Sequence, residues 1–233
     1  LLLGHRIAAK FGHVSKTGYS PFSWGQVSQM PQIYRGFGID VASFYRGINT
    51  LLSPKSEFYW EGPDGSRVIG SRLARRPRYN VWYVIQRPVY WGMEDENHRH
   101  MSWKRGHAPF RMVDVEHANI DYQYAHPEFG YKAENIPPRA QQAIREQDAE
   151  WTTPHRFWSA GHDSSCPDIR ETRMIADCAK ALKEKADVFH STVAAWQDGL
   201  RANQRPDWPV LHGEMRHTFT KGSSSGLFGW IIS

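Results

Sequence analysis

Three short stretches of this 233-residue chain carry side chains that could do chemistry. One reads Gly-His-Asp at residues 161–163, one reads Gly-Glu-Met-Arg at residues 213–216, and the third is the loop over residues 19–26. Each follows a predicted strand. In α/β proteins, ligand sites gather at the carboxyl ends of parallel strands. These three stretches are therefore the candidate functional loops.

The carboxylates of two loops, Asp163 and Glu214, suggest one kind of reaction. Two carboxylates facing a scissile bond suit glycoside hydrolysis, with one as acid/base and the other as nucleophile. Structural roles are the open alternatives. Asp163 can brace its loop or cap the helix that follows it. Glu214 and Arg216 can meet a polar ligand or form an ion pair with each other.

Other reaction chemistries have weaker support. Possible metal ligands cluster locally, and these are Glu94, Asp95, His98, His100 and His107. An H-x-H pair arises often by chance in a chain with twelve His, and no acidic residue there has convincing ligand spacing. The chain also lacks the G-x-S-x-G turn of a serine nucleophile and a glycine-rich phosphate loop.

Composition leaves the ligand class open. Ten Trp, ten Tyr and eleven Phe fit a carbohydrate or nucleic-acid binder, and they fit a well-filled core equally well. The net charge is +5, but the basic residues are scattered, and the densest run lies within residues 72–78. Nucleic-acid binders concentrate such charge in a stripe. We therefore expect no nucleic-acid partner, although salt-sensitive DNA or RNA affinity remains the test of that alternative.

The two cysteines and the two chain ends limit which kinds of site and cellular context the sequence predicts. Cys166 and Cys178 predict neither a disulfide framework nor a C-x-x-C zinc site, and Cys178 falls on the inner face of a predicted helix. No run approaches the roughly 18 apolar residues of a membrane helix, so no membrane partner is expected. The chain starts on Leu1 and ends on an apolar stretch, so we expect it to be cut from a longer protein. The compartment and oligomeric state stay open.

Hydrophobic periodicity predicts one α/β domain over residues 1–233 with a mainly parallel sheet. Helices are predicted over residues 1–11, 29–35, 138–151, 168–186 and 192–203. Strands are predicted over residues 39–44, 57–60, 67–73, 156–160, 187–190 and 209–214, with a short one near residue 18. Asp64-Gly65 indicates a hairpin between two of them. Residues 75–138 show no clear pattern, which is typical of a functional loop or of short elements.

One stretch strongly resembles a known family. Residues 18–33 read GYSPFSWGQVSQMPQI, and the glycoside hydrolase family 38 α-mannosidases have roughly G-Y-x-P-D-x-F-G-H-x-x-Q-M-P-Q-I there. Residues 56–65 read SEFYWEGPDG, which resembles the family's S-E-F-x-W-x-G-P-D-G. Residues 36–40, Arg46 and the stretches 78–80, 161–163 and 213–216 follow in family order. The resemblance spans nearly the whole chain.

The resemblance implies a fold and a set of site residues. Family members are retaining α-mannosidases with a distorted (β/α) barrel and one zinc ion, so the chain would be part of such a barrel and would bind an α-mannoside-like glycan. Trp24 would stack under the sugar ring and Arg46 would orient the nucleophile or sugar. Tyr79 would donate a hydroxyl in the pocket, and Asp163 would be the acid/base. Glu214 and Arg216 are further candidates for binding substrate.

Two positions depart from the family pattern. The family's nucleophile, an Asp that also ligates zinc, falls at Phe22, and a phenyl ring can neither attack an anomeric carbon nor bind a metal. Gln26 replaces the usual His. The other family zinc ligands are expected before Leu1 and beyond Ser233, so this chain holds no identifiable complete zinc site. The sequence predicts a glycosidase of altered chemistry, or a catalytically silent carbohydrate-binding descendant.

Overall fold

A computed structural model describes residues 1–20, 25–74, 80–91, 131–160 and 170–216. The chain divides into two compact units. Unit 1 comprises Leu1–Pro77, Ala149–Phe157 and Ser191–Ser233, and unit 2 comprises Arg78–Asp148 and Trp158–His190. No helix in the described ranges is both long and apolar enough to cross a membrane.

The described ranges contain six α-helices and five strands. The helices are α1 (Leu2–Ala8), α2 (Met30–Gly36), α3 (Arg87–Trp91), α4 (Ile136–Asp148), α5 (Glu171–Leu182) and α6 (Val193–Ala202). The strands are β1 (Gly18–Tyr19), β2 (Val41–Ser43), β3 (Glu57–Glu61), β4 (Arg67–Ser71) and β5 (Val210–His212). Short 3₁₀ turns extend α1 over Ala9–Phe11 and precede α4 over Ala133–Asn135, and a π-helical turn at Trp82–Gln86 leads into α3.

All five strands form one mixed sheet in unit 1, in the order β1-β2-β4-β3-β5. The β1–β2, β2–β4 and β3–β5 pairs are parallel, and β3–β4 is the antiparallel hairpin predicted from Asp64-Gly65. The prediction of a mainly parallel sheet is therefore confirmed. The sheet does not close within the described residues.

The sheet of unit 1 carries a core on each face. Residues alternate between the two faces, so Phe58 and Trp60 face one core while Tyr59 packs with the other. The first core includes Tyr34 of α2, and the second includes Trp196 and Leu200 of α6. Burial on both faces explains why Val41 and Ala42, successive residues of β2, are both apolar although they face opposite cores.

Unit 2 has its own core, built from α4, α5 and the helical segment over residues 80–91. Met174, Cys178 and Leu182 of α5 are buried there at the i, i+4 and i+8 positions, as the periodicity predicted. Ile175 is partly buried against the same core. The segment at 82–91 shows that part of the patternless stretch consists of short helical elements.

Several predicted elements are wrong. Residues 156–160 and 187–190 form no strand. Val188 is only partly buried against the unit 2 core and its neighbour Phe189 is exposed, so the apolar side chains of residues 187–190 pack without joining a sheet. Ser28 does not cap α2, which begins after Gln29 without a side-chain cap. The predicted cap at Asp168 lies outside the described residues.

Candidate functional site

The carboxyl ends of three parallel strands lie side by side in unit 1. Tyr19 ends β1 opposite Ser43 of β2, and Ser43 lies opposite Ser71 of β4. Glu57, the first residue of β3, continues this row opposite Ser71. The chain segments that leave this edge are the loop after Tyr19, the Arg46 segment and the stretch after Ser71. All three were predicted to carry functional residues, and parallel pairing starts them from one edge.

A buried amide on α6 fixes the first two strand ends. Gln197 Nε2 donates to the carbonyl oxygen of Gly18 at 2.9 Å and to Ser43 Oγ at 3.2 Å. The Gln197 side chain is fully buried. One side chain therefore links β1 and β2 at the end from which the first two loops start. The sequence gives no signal for this role, because a Gln on an amphipathic helix does not specify its distant partners.

The backbone turns sharply directly after β4. Leu73 and Ala74 both have positive φ, at 64° and 56°, which is unusual for residues with a side chain. Leu73 N–H donates to Ser71 Oγ at 3.2 Å, and Ala74 N–H donates to Ser56 Oγ at 3.1 Å. These hydroxyls hold a backbone conformation that costs about 1–3 kcal/mol per residue. Such strain is typical of functional sites, and this turn precedes the stretch that contains Tyr79.

Arg46 lies three residues beyond the end of β2. Its side chain is almost fully buried, and the guanidinium carbon lies 5.2 Å from the centre of the Tyr45 ring. An arginine stacked on an aromatic ring keeps its planar fork in a fixed orientation. Arg46 thus lies in the segment that follows a strand end, and its role toward a substrate remains a prediction.

The segment after β5 meets the other end of the first loop. Gln26 and Met215 exchange two backbone hydrogen bonds of 2.9 Å, forming an isolated bridge. Gly47, next to Arg46, lies against the same segment, since a Cβ at this position would fall 1.9 Å from the Met215 carbonyl oxygen. The structure thus brings together the Gln26 end of the first loop, the Arg46–Gly47 pair and residues 213–216.

Two features direct the chain from β5 to this contact. Gly213 has φ of 85°, a conformation that favours glycine. Trp60 Nε1 donates to the Gly213 carbonyl oxygen at 3.1 Å, and Met215 is buried in the same core as Trp60. The sequence pattern indicates residues 213–216 but neither Gly47 nor Trp60. For Gly47, the available signal was a glycine directly after Arg46.

Glu214 and Arg216 pair with each other. Arg216 Nε lies 2.8 Å from Glu214 Oε2, and both side chains are exposed. Because Met215 points into the core, its two neighbours point away from it, as expected for extended backbone. The ion-pair alternative is therefore present in the structure, and binding of a substrate by these side chains remains a prediction.

A fully buried carboxyl lies on the same row of strand ends. Glu57 Oε2 accepts hydrogen bonds from Thr152 N–H at 2.8 Å and from Thr152 Oγ1 at 2.6 Å. Burial raises the pKa of the Glu57 carboxyl, and the hydrogen bonds from Thr152 oppose this rise. Trp208 Nε1 donates to Thr152 Oγ1 at 2.8 Å, which completes a short buried chain. Because the Glu57 side chain is fully buried, it stabilises the fold and does not face a ligand.

Unit 2 contains a second buried amide at a family motif. Asn80 Oδ1 accepts from the N–H groups of Val81 and Ser159, each at 2.7 Å. Val81 N–H also donates to the Ser159 carbonyl oxygen at 3.3 Å. Asn80 is therefore joined to Ser159, two residues before the 161–163 stretch.

Comparison with known proteins decides the family. A family model described as the glycosyl hydrolases family 38 N-terminal domain matches residues 1–214. This chain belongs to that family. It is α-mannosidase-like in its sequence motifs and in its fold.

Two individual proteins are similar to this family 38 chain. One is "Putative mannosylglycerate hydrolase" of Halalkalibacterium halodurans, which is 37% identical over 95 residues, or 36% of this chain and 10% of that protein. The other is the crystal structure of an alpha-mannosidase from Enterococcus faecalis V583, with a TM-score of 0.64 and 20% identity. That match covers 96% of this chain but 20% of the solved chain. The chain therefore spans a small part of the proteins it matches.

Four of the positions implied by family 38 lie outside the described residues: Phe22, Trp24, Tyr79 and Asp163. The cluster at residues 94–107 lies outside them too. Within the described ranges, no group of three or more His, Cys, Asp or Glu side chains could hold a metal ion. The described residues therefore do not fit the zinc site of the family.

Proposed function

We propose that this chain is an incomplete family 38 catalytic domain of a glycoside hydrolase of the α-mannosidase type. The observation that carries the proposal is the family match over residues 1–214, which includes the motif at residues 18–33. The substrates are α-mannosides or related glycans. Both compact units fall inside the matched range, so the proposal treats them as parts of one domain.

Each proposed sugar contact follows a strand of unit 1 in the sequence. Trp24 stacks on the sugar ring, and Arg46 orients the sugar from its position beyond β2. Tyr79 donates its hydroxyl from the stretch after β4. Glu214 and Arg216 hydrogen-bond polar groups of the substrate, for which their exposed ion pair must open or turn. The row of strand ends at Tyr19, Ser43 and Ser71 supports a shared starting edge for the segments after β1, β2 and β4, whereas β5, which precedes Glu214, runs in the opposite direction.

Asp163 is the proposed acid/base. A carboxylic acid in this role protonates the oxygen of the leaving group and later takes a proton from the attacking water. The loop that bears Asp163 follows Ser159, whose backbone is held by Asn80. This support is independent of the chemistry at Phe22.

Phe22 separates two candidate functions. An enzyme with Phe at the nucleophile position needs another nucleophile or direct attack by water. Glu57 is the described carboxyl at the same edge of the sheet, and its complete burial under Thr152 leaves it unable to reach a sugar. The alternative function is therefore a silent carbohydrate-binding descendant, and Phe22 is the specific observation that favours it.

The relative from Halalkalibacterium halodurans suggests one further substrate to test. The name of that protein refers to mannosylglycerate, a mannoside whose aglycone carries a carboxylate. Arginine forks pair well with carboxylates, and Arg216 is half exposed beside Glu214. Mannosylglycerate therefore belongs beside aryl α-mannosides in the substrate panel.

The test compares the full-length wild-type protein with Phe22→Asp and with Phe22→Asn, which has nearly the same shape as Asp but no charge. Turnover of both substrates and calorimetric binding of mannose are measured, together with zinc content. Wild-type turnover supports the enzyme with altered chemistry. Mannose binding without wild-type turnover, joined to turnover in Phe22→Asp alone, supports the silent descendant. A protein that neither binds mannose nor gains turnover in Phe22→Asp contradicts both.

A further inference from the structure

Asn80 links two stretches of unit 2 that are far apart in sequence. Its Oδ1 atom accepts from Val81 N–H and from Ser159 N–H at 2.7 Å each, across a separation of 79 residues for the second bond. Val81 N–H also donates to the Ser159 carbonyl oxygen at 3.3 Å. The Asn80 side chain is almost fully buried, with 4% of its surface exposed.

Both partners of this amide are fixed to the core of unit 2. Val81 is a core residue, and Trp158, directly before Ser159, packs against the same core. The contact at Asn80 therefore joins two anchored backbones rather than two loose ones. Val81 N–H keeps the Ser159 carbonyl oxygen as an acceptor when the Asn80 amide is removed, whereas Ser159 N–H loses its bond to Asn80.

The chemistry of Asn suits this double contact. A carbonyl oxygen has two lone pairs and can accept two hydrogen bonds in different directions. The contact also lies at the start of the helical segment that contains the π-helical turn Trp82–Gln86, where N–H groups lack intrahelical partners. A carboxylate would accept the same two bonds, while an alanine would accept none.

Asn80 and its partner Ser159 each lie close in sequence to a proposed site residue. Asn80 directly follows Tyr79, the proposed pocket residue, and Ser159 precedes Asp163 by four residues. We propose that Asn80 is a positioning residue that fixes the backbone entering the Asp163 loop against the backbone that leaves Tyr79. This inference rests on the proposed function for the role of Asp163, and on the Asn80 hydrogen bonds alone for the fixed backbone.

The test uses the full-length protein with three variants. Asn80→Ala removes both acceptor bonds, and Asn80→Asp keeps them. Asn135→Ala is the matched control, because Asn135 Nδ2 donates to the Pro88 carbonyl oxygen at 2.8 Å within the same unit. Hydrogen exchange of the amides from Ser159 to Asp163 is measured first, and kcat, KM and the pH profile follow in any background that shows turnover.

The expected result is specific to the Asn80 contact. Asn80→Ala speeds exchange at Ser159 and at the following amides by at least about tenfold, and it lowers kcat at least tenfold with little change in KM. Asn80→Asp stays near wild type in both, and so does Asn135→Ala. If Asn80→Ala unfolds the whole protein, the comparison of Asn80→Asp with wild type decides, because it keeps the acceptor.

Two results would overturn the inference. One is exchange at Ser159 that rises no more in Asn80→Ala than in Asn135→Ala. The other is full kcat in an active Asn80→Ala protein whose Ser159 amide exchanges faster. If no background shows turnover, the proposed enzyme fails by that measurement, and the exchange rates still decide whether Asn80 fixes this backbone.

Discussion

Gly47 and Met215 are in such close backbone contact that the first admits no side chain. A Cβ at Gly47 would fall 1.9 Å from the Met215 carbonyl oxygen and 2.5 Å from its carbonyl carbon. Met215 is in turn paired through its backbone with Gln26. This single close approach holds the segment after β5 beside the Arg46 segment and the end of the first loop.

Replacing Gly47 with alanine should destabilise the protein well beyond the cost of backbone strain. Gly65 is the matched control, because its φ is also 82° but a Cβ there would meet nothing within 4 Å. We expect Gly65→Ala to cost about 1–2 kcal/mol for the left-handed conformation alone. Gly47→Ala should cost more and should speed hydrogen exchange at Gln26 and Met215. Equal losses of unfolding free energy in urea would contradict the structural role of the contact.

Glu57 should make stability depend on pH in a particular direction. Burial raises its pKa above the ordinary value, so the folded state favours the neutral acid. The contribution of Glu57 to stability is then fully present below the ordinary pKa of a glutamate, and it is lost as pH rises through the raised pKa. A glutamine at position 57 has the same shape and no charge, so the unfolding free energy should not fall for this reason as the pH rises.

The variant Glu57→Gln tests this dependence. Its unfolding free energy, measured between pH 4 and pH 8, should gain on the wild type as the pH rises. Glu184→Gln is the control, since Glu184 is largely exposed and its ion pair with Lys183 is long. Parallel pH curves for Glu57→Gln and wild type would show that the Glu57 carboxyl has the same pKa in the folded and unfolded states.

Asp163→Asn should reduce turnover without unfolding the protein. A general acid/base contributes typically about 10²–10⁴-fold to rate, so kcat should fall by that order in a background that turns over. The exposed Asp187 of unit 2 provides the control Asp187→Asn, which should keep full activity. Wild-type kcat in Asp163→Asn, with an unchanged melting temperature in both variants, would remove Asp163 from the acid/base role.

Cys178 should be inert in the folded protein. Burial, with a smaller effect of the Asp177 charge, raises the pKa of its thiol to about 12. About one thiolate in ten thousand then forms at pH 8, and the side chain is enclosed by the unit 2 core. In a Cys166→Ser background, a thiol reagent should find no reactive group in the native protein and one after denaturation. Native labelling at the denatured rate would contradict this environment.

Local sequence patterns determined the elements and the family. The periodicity of α5 placed Met174, Cys178 and Leu182 inward, and Asp64-Gly65 placed the β3–β4 hairpin, because both signals depend on neighbouring residues. The motifs at residues 18–33 and 56–65 identified the family for the same reason. The sequence indicated Arg46 and residues 213–216 as candidate site residues. It did not predict that the Arg46–Gly47 segment and residues 213–216 lie next to each other.

Only the tertiary structure decided which distant groups meet. Glu57 and Thr152 lie 95 residues apart, and Asn80 and Ser159 lie 79 apart. A buried Glu, Asn or Gln has many possible partners, and local periodicity does not distinguish them. The sheet of unit 1 sets the position of Glu57 opposite Ser71, and the separate core of unit 2 anchors the neighbours of Asn80 and Ser159. The close approach of the Gly47 and Met215 backbones likewise depends on how the chain crosses the core that contains Met215. Residues next to Gly47 in the sequence do not specify that path.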